Sequence, residues 1–197
     1  MSGKENTQET WAGQVDFQTL SLADKQDFEG FRSVKELVDA GRMTEIPKKM
    51  GVYLILAPRM GANPGFSEGL KAAFKNNEKE LKGENKLRER WNKDTQVLYI
   101  GKAGVLNGKG TSNLYTRLRA YLKWYQKEKN NHQGGRDIWE LANPGDLLVA
   151  WRVTGNEDPR SCEKALLKRF DKMFGEEKKA SGKGKKKKRL PFANHQS

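Results

Sequence analysis

The sequence predicts an α/β domain, a small three-stranded sheet flanked by helices, and three observations predict it. Segments 51–56, 96–100 and 147–153 are short, nearly continuous apolar runs rich in Val, Ile, Leu and aromatics, the pattern of buried strands. The stretches between and after them repeat apolar residues at helical spacing. A chain of 197 residues, 35% of them hydrophobic, is long enough for one core of about 150 residues with extensions.

Taken in order, residues 1–28 scatter Trp11, Phe17 and Leu20 without helical or strand period and read as a loosely docked arm. Ser33 caps a short helix in which Val34, Leu37 and Val38 fall at i, i+3 and i+4 before Gly41 stops it. Pro47 precedes the first strand, and Pro58 follows it. About forty residues then separate the first two strands: Gly61, Pro64 and Gly65 first, then a Lys- and Glu-rich stretch from Lys71 to Trp91 that reads as a helical insertion. After Gly101 a Gly- and Asn-rich loop leads into 112–125, where Leu114, Leu118, Tyr121, Leu122 and Tyr125 form one apolar stripe. Residues 130–136 break that helix. The third strand is followed by Asp158 and Pro159, an N-cap and N1 pair opening a helix that runs to Phe174 and stops at Gly175. Residues 176–189 are lysine-rich and of low complexity, and Leu190-Pro191-Phe192-Ala193-Asn194 lies beyond them.

The 38 Lys and Arg against 25 Asp and Glu give a net charge of +13, a field that attracts polyanions. No apolar run approaches the roughly 20 residues of a membrane span, and no signal-peptide pattern opens the chain, so a cytoplasmic location without membrane association is expected. One cysteine, Cys162, and two distant histidines, His132 and His195, make neither an internal disulfide nor a structural zinc site. Aromatics interleave with basic residues at Arg117, Arg119, Tyr121, Lys123, Trp124 and Tyr125, offering phosphate contacts and stacking together and pointing to nucleic acid over a membrane surface or an acidic protein. Residues 104–110 resemble a phosphate loop only loosely, one residue short and without Ser or Thr after Lys109, and no GxGxxG follows a strand.

Two positions stand out for chemistry. Arg117 and Tyr121 lie one turn apart on a border of the apolar stripe, with Trp124 beyond; on an arbitrary helix a snorkelling Arg beside a packed Tyr is the favoured explanation of the pair. Glu163 shares a helix face with Leu167, Phe170 and Phe174, which puts a carboxylate in line with the core. A charge there is costly unless it is paired or metal-bound; pairing with Arg117 or a favourable helix dipole is the plainer explanation.

Gly51-Val52-Tyr53, then Tyr99-Ile100-Gly101-Lys102-Ala103, then Arg117 and Tyr121 on the next helix, Glu163 on a later one and finally Pro191-Phe192-Ala193-Asn194 resemble a GIY-YIG endonuclease domain in order and element type. The resemblance covers about 50–195 and departs from the family in Val52 and in the long spacing from Tyr53 to Tyr99. It implies a mainly antiparallel sheet, with 1–46 an amino-terminal arm carrying a short helix and 47–197 a nuclease-like domain with an insertion at about 57–95 and a basic loop at 176–189. It also implies hydrolysis of DNA phosphodiesters with one divalent metal, Mg²⁺ or else Mn²⁺, held by Glu163 alone among protein groups. Tyr99, with Tyr53, would orient or deprotonate the attacking water, its phenol lowered by the metal and Lys102. Arg117 would stabilise the pentacoordinate phosphorus, Tyr121 would hold the phosphate or relay a proton, and Asn194 would support the site or touch substrate. Arg119, Lys123, Trp124 and Lys185, Lys186, Lys187 and Lys188 are the expected DNA contacts. A catalytically silent nucleic-acid-binding module on the same scaffold and an acid-seeking protein-interaction domain are the competing readings.

Overall fold

The structure, a computed structural model, describes residues 11–21, 23–61, 65–66, 84–105, 112–126, 136–175 and 189–195. Most of the insertion expected at 57–95, the loop after Gly104, the break after the apolar-striped helix and the lysine run 185–188 lie outside these residues.

Four strands form one antiparallel sheet in the order β1-β4-β2-β3: β1 (Glu29–Ser33), β2 (Gly51–Leu56), β3 (Val97–Ala103) and β4 (Leu148–Val153). The β2 strand pairs with β3 on one side and β4 on the other and is buried along its whole length, which is why its sequence is an unbroken apolar run. Alternation still assigns its side chains: Val52, Leu54 and Leu56 enter the layer beneath α5 (Pro159–Phe174), whereas Tyr53 and Ile55 enter the opposite layer with α2 (Val34–Val38) and α4 (Leu114–Leu122). The helix signals fall where the sequence put them. Ser33 and Glu36 form a reciprocal capping box, and Asp158 accepts from the Ser161 amide at 3.1 Å ahead of Pro159. Asn113 caps α4, and the helix closes at Lys123, short of the expected 125.

Two expectations change. The sheet has four strands, not three; the extra one, β1, carries a single buried hydrophobe in Glu-Gly-Phe-Arg-Ser and a bulge between Gly30 and Arg32, with Phe31 at φ 52°, so no alternation marks it in the sequence. The segment read as a loosely docked arm is a packed layer: Ala12, Val15, Phe17, Leu20 and Phe28 are buried with α5, and Phe17 meets the Phe170 ring at 5.4 Å. The partners that bury it lie far along the chain, Phe170 for Phe17 and Glu157 for Trp11, so no local period marks them. No described helix is long and apolar enough to cross a membrane.

Two glycines set the close approaches on which the site depends. A Cβ at Gly51 would lie 2.2 Å from the Arg152 carbonyl oxygen and 2.8 Å from Leu114 Cδ1, so only glycine lets α4 sit this close to the start of β2. A Cβ at Gly101 would lie 2.4 Å from Tyr53 Cζ, because the Tyr53 ring lies across that residue from the neighbouring strand. Gly51→Ala is therefore expected to destabilise the fold by about 3 kcal/mol, the upper part of the overpacking range, since a backbone oxygen cannot rotate away. Urea unfolding checks this, and a wild-type midpoint would show that α4 does not need the glycine.

Candidate active site

Three tyrosines from three elements converge on one face of the sheet. Tyr53 of β2 lies 5.9 Å from Tyr99 of β3 and 6.3 Å from Tyr121 of α4 between ring centroids, and Tyr99 and Tyr121 stack at 5.8 Å with planes 8° apart. Trp139 backs Tyr121 at 5.1 Å. The depths differ: Tyr53 and Tyr121 have no exposed surface, and Tyr99 is 7% exposed. The Tyr121 hydroxyl is out of solvent's reach, so the phosphate-holding role expected for it gives way to packing.

The hydroxyls are held neutral. Burial pushes Tyr53 and Tyr121 well above the ordinary phenol range, and it raises Tyr99 too, helped by the Glu163 charge and opposed by the Arg117 guanidinium. Lys102, expected to help lower Tyr99, is not among the groups that act on it; burial first and then Glu163 raise the phenol, and the Lys102 ammonium acts on Glu163 instead. The Tyr53 hydroxyl is fully buried without a hydrogen bond of good geometry, although Arg117 and Tyr99 lie near enough to bias its proton.

Glu163 sits in the second turn of α5, half-buried, four residues before the buried Leu167. Burial raises its carboxyl, and Lys102, Arg117 and Arg160 pull the other way. It forms no hydrogen bond or ion pair with any described residue, and it lies beyond the first turn, so it is neither an ion-pair partner of Arg117 nor a first-turn glutamate favoured by the helix dipole. Arg117, exposed on α4, faces Tyr53, Tyr99 and Glu163 together. Its helix is anchored just ahead of β2, since the Leu114 and Tyr115 amides donate to the Lys49 and Pro47 carbonyls at 2.9 and 3.3 Å.

Asn194 is brought to the site but not into it. Its Oδ1 accepts from the Ile100 amide at 2.9 Å and its Nδ2 donates to the Ile100 carbonyl at 2.8 Å. Both ends of the side chain are committed to the residue between Tyr99 and Gly101, so it holds the outer strand in place. Of the expected DNA contacts, Arg119 and Lys123 line a hollow of about 230 Å³ with Val38, Met43, Leu122 and Gln126, on the α4 flank away from Arg117, while Trp124 packs against the core. Lys185, Lys186, Lys187 and Lys188 lie outside the described residues. Arg160 beside Glu163 and the Arg90–Asp137 pair behind Asn194 were missed: the first sits among basic residues spread over the whole surface, and the second joins parts of the chain 47 residues apart.

No family model, curated protein or solved structure matches this chain.

A closed protein cage for a cation is absent among the described residues, where no three His, Cys, Asp or Glu side chains cluster. A lone carboxylate suits a hard cation that keeps its waters and takes a substrate phosphate, and Glu163, half-buried and without a hydrogen-bond partner among the described residues, fits that use.

Proposed function

We propose that this chain is a metal-dependent DNA endonuclease of the GIY-YIG kind, hydrolysing phosphodiester bonds. The observation that supports the reading is that Glu163 and Arg117, from two helices, both bear electrostatically on Tyr99 of β3, whose ring lies 5.9 Å from that of Tyr53. A carboxylate, a guanidinium and neutral phenols make a set suited to a phosphate diester: one group to hold a cation, one to receive charge, one to hold a nucleophile. The +13 net charge supplies the attraction to DNA.

Glu163 would hold Mg²⁺ or Mn²⁺, which when bound acts as a Lewis acid on a phosphoryl oxygen and acidifies a bound water. Burial raises the Glu163 carboxyl, and Lys102, Arg117 and Arg160 offset part of that rise. Tyr99, the least buried of the three tyrosines, would orient the attacking water by hydrogen bonding, its phenol raised by burial and by Glu163. Arg117 presents its planar fork to the phosphoryl oxygens as charge grows on them. Tyr53 supports both from below, and Gly101 leaves room for its ring.

The test is plasmid nicking. Purified protein should convert supercoiled DNA to the open circle with Mg²⁺ or Mn²⁺ and stop on addition of a chelator. Salt-sensitive binding without any nicking would replace this reading with that of a silent nucleic-acid-binding module.

A further inference from the structure

Arg90 lies at the close of the stretch inserted between β2 and β3, just past α3 (Glu84–Arg88). One of its guanidinium nitrogens donates to Asp137 Oδ2 at 2.7 Å and meets His195 Nδ1 at 3.1 Å; the other donates to the backbone carbonyl of Asn194 at 2.5 Å. Asp137, in the 3-10 turn Arg136–Glu140, has a side chain only 4% exposed, and its Oδ1 faces His195 Nε2 at 3.3 Å. Neighbouring contacts reinforce the grip: Trp91 meets Phe192 edge to face at 5.4 Å, and the Arg189 amide donates to Asp171 at 2.7 Å.

The main chain at 194–195 is thus gripped from behind by a partly buried ion pair, while the Asn194 side chain reaches forward to Ile100. A fork that binds a carboxylate and a carbonyl at once is something arginine does and lysine cannot reproduce. We infer that Arg90 and Asp137 are positioning residues: they clasp the carboxyl-terminal segment so that Asn194 stays on Ile100 and fixes Tyr99 beside Glu163. This gives the closing turn of the insertion a part in the site. The inference rests on the nuclease reading for its effect on rate, but not for its effect on structure.

The outward-facing Ile100 amide reports the clasp directly, because Asn194 Oδ1 is its acceptor. The test combines amide hydrogen exchange with nicking kinetics on full-length Arg90→Ala, Arg90→Lys and Asp137→Asn. In Arg90→Ala, exchange at Ile100 should accelerate at least about tenfold while the central strand β2 keeps its protection, showing that the fold is intact. The nicking kcat should fall about tenfold with KM within about twofold, the split expected when a group near the chemistry is displaced while DNA contacts remain. Arg90→Lys should fall between alanine and wild type, and Asp137→Asn should resemble Arg90→Ala. If wild type does not nick DNA yet Ile100 exchange rises in these variants, the clasp stands and the nuclease reading falls. If wild type nicks and all three variants keep wild-type kcat and wild-type Ile100 protection, the clasp is overturned.

Discussion

Glu163→Gln will remove nicking while leaving duplex DNA affinity at least as high as that of the wild type. The substitution keeps size and hydrogen-bonding capacity and deletes one charge. Losing the only proposed protein ligand of the cation forfeits several kcal/mol of charge stabilisation, about 10³ or more in rate. Binding moves the other way. Lys102, Arg117 and Arg160 all bear electrostatically on the carboxylate, and removing its negative charge strengthens the local attraction to phosphates. Single-turnover nicking and a binding titration at one salt concentration separate the two effects. Near-normal cutting by a pure Glu163→Gln preparation would remove Glu163 from the mechanism.

Arg117→Lys should lose about 10² to 10³ in nicking rate, or about 3 to 4 kcal/mol of transition-state stabilisation, although the charge is kept. Arg117 faces Tyr53, Tyr99 and Glu163 at once, which suits a planar fork with several donors more than a point ammonium. The exposed position argues that the fold will tolerate the change, so thermal unfolding should barely move. Wild-type rates in the lysine variant would mean that Arg117 simply extends over the α4 surface into water.

What could be read from the sequence was local. The burial of β2 on both faces shows as six apolar or glycine residues in a row, and Asp158-Pro159 and Ser33 announce helix starts because each cap accepts from an amide only three residues on. Glu163 could be singled out because helical spacing alone aligns it with Leu167 and Phe170. What escaped was set by distant partners. The bulged β1 is a strand only because β4 pairs with it, and Phe17 and Leu20 are core only because α5 passes over them. The same holds inside the site. Tyr121 looks like a border residue on its own helix, but the Tyr99 ring and Trp139 enclose it. Lys102 is close to Tyr99 in sequence, yet its ammonium bears on Glu163.

Both margins of the sheet are guarded, and by different means. On the β3 side, Asn194 takes up the Ile100 amide and carbonyl, and the Ala193 amide donates to the Leu98 carbonyl at 2.8 Å. On the β1 side, Gly30 and Phe31, with φ of 88° and 52°, break the straight row of groups that another strand would need. An open edge strand is a template for pairing with another chain. The few residues after the lysine run therefore close a β3 edge that would otherwise be open to a second copy.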